Sequence, residues 1–329
     1  MITTRRRRAT LVALVCAALA LPLAAPASAA PTVPSRALVA PAKAAPASLT
    51  TAASDVRAAP LATARARSSM KLTSYEKLAS THKRTYVKVR VTNGKGQRLS
   101  LQRYSKGKWR TVTKTRAPRA VGAKTVKIRV PKKAGSFKYR VVMSKSSANK
   151  RIVSKKVRVF QSDYAKHKRY IAKARAHMKR WCPDTPIFVD TPNVRAGEWA
   201  AGMAWTRWSF TGSKASWKQT IELRSGLTGA SLKHIAIHEC AHIVQARPIV
   251  KGITTYEKSE ARTDKIFRKG AAEPHEQQAD CMAYAKTRDK SQMVYTKSCS
   301  GKRLKNAKGM WKSYGTKYQK PNLTWAWRY

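Results

Sequence analysis

Carboxylates are scarce in this chain. It has 15 Asp and Glu against 69 Lys and Arg in 329 residues, a formal net charge of +54. That shortage excludes the ordinary soluble surface on which the two signs mix. A chain so charged repels itself and gathers counterions, so a polyanionic partner is expected whatever the fold. Cysteine is also sparse. There are five, none in a C-x-x-C pair, which argues against a Cys-ligated zinc site. Long apolar runs are missing. The run over residues 11–23 is too short to span a bilayer, and no later segment is apolar enough to do so. No internal repeat is present.

What stands around that run gives it a meaning. Arg5 to Arg8 precede it and Ala27-Ser28-Ala29 follows it, the pattern of a secretory signal peptide over 1–29. A secreted, extracellular protein is expected, with cell-wall association an option. Cleavage removes four arginines and no acid, which leaves +50. The anionic partners then available are wall polymers, acidic lipid, polyphosphate and, without sequence specificity, nucleic acid. Cleavage also leaves Cys182, Cys240, Cys281 and Cys299. An even count in an exported chain favours two disulfides, with three connectivities open. The pairing expected here is Cys281 with Cys299 and Cys182 with Cys240.

Residues 30–68 are rich in Ala, Pro, Ser and Thr and poor in large apolar side chains. Such a stretch buries too little to fold alone, so it reads as a linker or a propeptide. Residues 69–161 differ. Val87, Val89 and Val91 alternate with basic residues, as do Val126, Ile128 and Val130, then Phe137, Tyr139 and Val141, then Val157 and Val159. Period two puts one face in and one face out. Several short strands with turn signals such as Asn93-Gly94 between them resemble a small immunoglobulin-like β-sandwich. From 70 to 161 there are 28 basic residues and one acid, Glu76. A binding or anchoring module is expected.

Residues 162–181 carry helical spacing, ended by Cys182-Pro183. Strands are expected over 203–208 and 219–224. Ser231 is a candidate cap for a helix running to about Arg247, and Pro274 a candidate first residue of another. Residues 301–329 hold eight basic residues, no acid and six Trp or Tyr, read as a basic aromatic tail.

The chemistry lies in His238-Glu239-Cys240-Ala241-His242. Two histidines four apart on a helix share a face and can reach one ion. Glu239 lies about 100° round from His238, beside an open coordination position, where it can act as general base on a water. Composition alone gives this pattern ~0.004 times in such a chain. His234, on the same face, reads as a hydrogen-bonded neighbour or core residue. Cys240 points away, towards the core. For the third ligand, Glu273, His275, Glu276 and Asp280 compete. Glu276 leaves Asp280, one turn on, free to orient a ligand histidine.

The segment from His238 to Gln245, followed by Glu276-Gln-Gln-Ala-Asp280-Cys281, resembles the gluzincin branch of the zincin peptidases. It is similar to bacterial neutral zinc metallopeptidases with HExxHxxQ and a later E-x-Q-A-D-C. The resemblance covers roughly 163–300. It implies one zinc held by His238, His242 and Glu276, with Glu239 as base and Asp280 behind a ligand. Ala241 stands where many members have Gly. No residue matches an oxyanion stabiliser; Tyr284 reads as a packed core residue.

The expected architecture is therefore multidomain. A signal peptide (1–29) and linker (30–68) lead to an Ig-like antiparallel β-sandwich (69–161). An α+β zincin-like metallopeptidase domain (162–300) and the tail (301–329) follow. The expected activity is zinc-dependent endopeptidase cleavage of a peptide or protein. The rival is a wall- or polyanion-binding surface protein whose zinc site is structural or vestigial.

Overall fold

The structure is a computed structural model in which residues 67–146, 150–198, 200–211, 214–267, 272–320 and 324–326 are described. The expected signal peptide and residues 30–66 of the expected linker lie outside them. Ser68, expected as linker, is instead buried, and its hydroxyl donates to Asn93 O at 2.6 Å.

The first part is all β. It runs β1 (Ser69–Tyr75), β2 (Leu78–Ser80), β3 (Thr85–Thr92), β4 (Arg98–Ser105), β5 (Lys108–Arg116), β6 (Ala123–Val130), β7 (Gly135–Met143), β8 (Ile152–Val153) and β9 (Val157–Ser162). One sheet has the order β1-β3-β6, all antiparallel. The other has the order β2-β9-β7-β4-β5, with β8 on β7 and only β2–β9 parallel. The alternating apolar residues do what period two dictates. Val87, Val89, Val91, Ile128 and Val130 of the first sheet and Leu99, Leu101, Tyr139, Val141 and Val159 of the second form one buried cluster.

The second part mixes helices and strands. It runs α1 (Tyr164–Met178), β10 (Ile187–Val189), β11 (Gly202–Thr211), β12 (Lys214–Leu223), α2 (Gly229–Val250), α3 (Tyr256–Phe267), α4 (Pro274–Thr287), α5 (Gly301–Tyr314) and β13 (Thr324–Ala326). β11 pairs antiparallel with β12 along its length, and β10 runs parallel to β12 on the other flank. Among the described residues β11 has no second partner, so it is the sheet edge. Asp163 caps α1 by accepting from Lys166 N at 3.1 Å. Pro274 stands at the start of α4, where its missing N–H costs nothing. The chain is mixed α and β, with several antiparallel sheets and five helices among the described residues. No described helix is long and apolar enough to cross a membrane.

Two expectations need correction. α2 starts at Gly229, after Thr228, rather than behind Ser231. The Ser231 hydroxyl instead meets Gln292 Oε1 at 2.7 Å. The helix also continues past Arg247 through Pro248 to Val250. The stretch from 301, expected as a tail, begins with a full helix. Ala307 and Trp311 of α5 are buried in the second core, and Trp311 Nε1 donates to Met282 O at 2.8 Å. Long-range packing supplied the apolar partner for a sequence whose charge hid its helical face.

Both disulfides join the expected pairs, Cys182–Cys240 and Cys281–Cys299. The first ties the end of α1 to α2, the second ties α4 to the strand-free segment before α5. In the chain-entropy model each contributes about 3–4 kcal/mol.

Candidate metal centre

α2 is buried along most of its length, which is why its apolar residues run nearly all round it. His234, His238 and His242 recur one turn apart on it. On its far side Cys240 is fixed by Cys182. α4 packs against α2 and presents Glu276 and Asp280, again one turn apart. The structure thus brings three sequence-distant donors together. His238 Nε2, His242 Nε2 and Glu276 Oε2 lie 3.1 Å from one another along all three edges. Donors about 2.0–2.1 Å from a tetrahedral zinc stand about 3.3–3.4 Å apart. The triangle therefore fits a small divalent cation, and two imidazoles with one carboxylate suit zinc chemically. The competing candidates stand elsewhere. Glu273 is exposed at the N-cap of α4, and the half-exposed His275 lies outside the triangle, its Nε2 3.4 Å from Glu276 Oε1 and its ring centroid 5.9 Å from that of His242.

Each imidazole is held from behind. Asp280 Oδ1 accepts from His238 Nδ1 at 3.0 Å and from His234 Nε2 at 3.3 Å. Its other oxygen accepts the backbone N–H groups of Val294, Tyr295 and Thr296 at 2.9, 2.6 and 3.3 Å. Five donors around one buried carboxylate keep it charged. Burial alone would raise its pKa, but the histidine and backbone hydrogen bonds hold it well below the usual carboxylate range. A second group, His234, His238 and Asp280, also has metal-like spacing. Its atoms are already engaged in these hydrogen bonds. His242 Nδ1 is held by Gln245 Oε1 at 2.8 Å. The Gln245 amide nitrogen in turn donates to His275 O and Gln278 Oε1 at 2.9 and 2.8 Å, which fixes which way the amide faces. These contacts leave Nε2 of both His238 and His242 facing Glu276 Oε2, the nitrogen a bound cation would use once it is deprotonated.

The electrostatics follow. Burial opposes charge on His238, but hydrogen bonds to Asp280 and Glu276, with Glu239 nearby, carry its pKa up to about 10. Burial also opposes charge on Glu276, yet hydrogen bonds with His238, His242 and His275 hold its carboxyl far below the ordinary range. Glu239 is 4% exposed, and burial pushes its carboxyl up against the pull of His238 and His242. It takes no hydrogen bond from any described residue. It lines a cavity of about 340 Å³ together with His242 and Glu276.

Gly202, at the start of β11, is part of how that cavity is closed. A Cβ there would stand 2.5 Å from Glu239 Oε1, so only glycine lets the strand pass so close to that carboxylate. Met203 and Ala204 of the same edge line the cavity. The sequence reading assigned no role to Gln245, Gln278, Gly202 or Tyr295. Tyr295 lies with its ring centroid 5.5 Å from that of His238, and burial pushes its phenol up to about 12, helped by Glu276, Glu239 and Asp280. Gln245 was within reach, because it sits three residues after His242 on the same helix. Tyr284 packs against the second core, as expected for a structural residue.

No protein-family model matches the chain, and a search of curated proteins gives no match. The likeness to gluzincins therefore rests on the motif residues.

Proposed function

We propose that this chain is a secreted zinc-dependent endopeptidase of the gluzincin type. Its second part is the zincin-like catalytic domain, and its first part an Ig-like module. One observation carries the reading. Three donor atoms from α2 and α4 stand 3.1 Å apart, and the buried Glu239 carboxylate, without a hydrogen-bond partner among the described residues, faces the same cavity. His238, His242 and Glu276 would hold one zinc. When bound, the ion supplies Lewis acidity, polarising a peptide carbonyl and lowering the pKa of a water. Asp280 and Gln245 keep the two imidazoles facing inward as neutral donors of a lone pair. Glu239 takes a proton from the attacking water and later gives it to the leaving amine. The water oxygen ends on the carbonyl carbon, the C–N bond breaks, and no acyl-enzyme forms. The free edge of β11 offers N–H and C=O groups to an extended substrate. A purely structural metal site has no use for Glu239, which is why the catalytic reading is preferred. The test is metal analysis of the purified protein with cleavage of an unstructured protein, with and without chelator and with zinc restored. Stoichiometric zinc with no cleavage would leave the structural-site reading standing.

A second property has its own support. The outer face of the larger sheet places like charges opposite one another across strands: Arg98 and Arg116, Lys138 and Arg158. Such pairs destabilise a sheet. On the outer face of the larger sheet the Arg140 guanidinium lies 4.3 Å over the Trp109 ring, whose centroid is 5.2 Å from that of Tyr104. An anionic polymer, of the cell wall or otherwise, would relieve the repulsion and find rings to stack on. We propose this face as the module that holds the enzyme to its surroundings.

A further inference from the structure

The cavity beside Glu239 is lined differently from the rest of this very basic protein. Among the described residues no lysine or arginine lines it, in a chain with 69 of them. Three carboxylates do: Glu239, Glu260 and Glu276. Seven of the chain's 15 acids fall between residues 239 and 280. α3 forms the wall away from the ligands, and its Glu260 is exposed at the rim beside Tyr256. Glu257, Glu260 and Glu273 have no ion pair with any described residue. Of the three only Glu260 lines the cavity, where the Tyr256 hydroxyl is its neighbour and no cation neutralises it among the described residues.

Part of the remaining wall is apolar, beside the polar Thr206, Gln245, Ser259, Thr263 and Gln278. Met203 of β11, Trp217 of β12, and Ala246 and Ile249 of α2 form the apolar part. A greasy wall ending in a carboxylate matches one kind of side chain, a long aliphatic stem carrying a cation. Glu239, 4% exposed and without a hydrogen-bond partner among the described residues, faces the same space. The cavity thus joins the catalytic carboxylate to the acidic rim.

Resting on the peptidase reading above, we infer that the cavity receives a lysine or arginine side chain next to the scissile bond, with Glu260 as the residue that selects it. Its methylenes lie along Met203, Ala246, Ile249 and Trp217, and its charge reaches Glu260. The net charge of the protein works against basic peptides at a distance, so the preference has to be made locally. Glu260 is exposed, which limits the gain to that of a surface ion pair, about threefold to tenfold.

The test uses the full chain and peptides that differ at one central position, carrying Lys, norleucine or Glu, at fixed ionic strength. Hydrolysis by the zinc-loaded protein gives kcat/KM ratios. Fluorescence anisotropy with Glu239→Gln gives binding ratios without turnover. Lys should exceed norleucine about threefold to tenfold in both, with Glu poorest. Glu260→Gln should bring the Lys-to-norleucine ratio close to one, and Glu260→Lys should invert the order of Lys and Glu. A Lys preference that survives Glu260→Gln, or none in the wild type while norleucine peptides are cut, overturns the inference. If no peptide is cut, the peptidase reading falls, and the anisotropy ratios alone decide whether the cavity takes a cationic side chain.

Discussion

Oδ1 of Asp280 lies 3.0 Å from Nδ1 of His238, and both side chains are almost wholly removed from solvent. This contact sets the tautomer of the histidine, and the same carboxylate gathers three backbone N–H groups of residues 294–296. Asp280 therefore has two tasks, and its variants separate them. Asp280→Asn should weaken zinc about 10–100-fold in competition with a calibrated chelator. Asp280→Ala should also lose stability, by roughly 2–4 kcal/mol in urea melts, because the segment's N–H groups lose their acceptor. Glu276→Ala should lose most of its zinc. Zinc retained as in wild type by Glu276→Ala, but lost by His275→Ala, would replace the assigned ligand set with three histidines.

Glu239→Gln keeps the size of the side chain and removes its basicity. Zinc content should stay stoichiometric while hydrolysis of the best substrate falls by at least about 100-fold. Full activity in a zinc-loaded Glu239→Gln protein would remove the base from the mechanism.

The chelator-stripped protein should show a pH signature of the site. His238 is carried up to about 10, above its unfolded value of ~6.5. Its contribution to stability is then complete below about pH 6.5 and is lost as the pH rises through about 10. Glu276 and Asp280 are depressed, so theirs is present above ~4 and lost as the pH falls. The Tm gap between stripped wild type and stripped His238→Gln should be largest between about pH 4 and 6.5 and should shrink towards pH 10. Zinc should reverse the alkaline trend, since the ion needs the deprotonated ring. A gap that widens from pH 6.5 to 10 in stripped protein would contradict this.

Arg247 is fully buried, and burial lowers its pKa to about 10. Its guanidinium donates to Tyr314 O, Gly315 O and Trp181 O at 2.9, 2.8 and 2.6 Å. It thereby joins α2 to the ends of α5 and the segment after α1, where helix carbonyls are short of donors. Arg247→Met should cost on the order of 3 kcal/mol in denaturant unfolding, because buried carbonyls lose their donors while the cavity opens slightly. A variant as stable as wild type would mean those carbonyls find other partners.

If the β module binds a polyanion, the polymer should raise the Tm of the full chain more than simple salt of equal ionic strength. Affinity should fall steeply with salt, since bound counterions are released. Arg140→Ala and Trp109→Ala should each weaken it, the first with a shallower salt slope. Retention on wall material that ignores salt would point to a shape-specific or covalent attachment.

Much of this was written locally in the chain. Period-two valines fixed which faces of the β module are buried, because side-chain direction on a strand depends only on position parity. The spacing of His238 and His242 put both imidazoles on one face, because a helix returns nearly to the same direction after four residues. Four cysteines in an export context implied two bridges. Packing decided what no periodicity encodes. Helical spacing and the resemblance favoured Glu276 over Glu273, His275 and Asp280, but only the approach of α4 to α2 brings its Oε2 within 3.1 Å of both histidines. Gln245 found its role when His275 O and Gln278 came within reach, 30 and 33 residues away. Trp311 and the helix around it read only as a basic aromatic tail, its rings free to stack on a polymer or to pack onto the domain, until the second core received them. In each case the deciding energy is burial or a hydrogen bond between segments far apart in sequence, and it exists only once the chain has closed on itself.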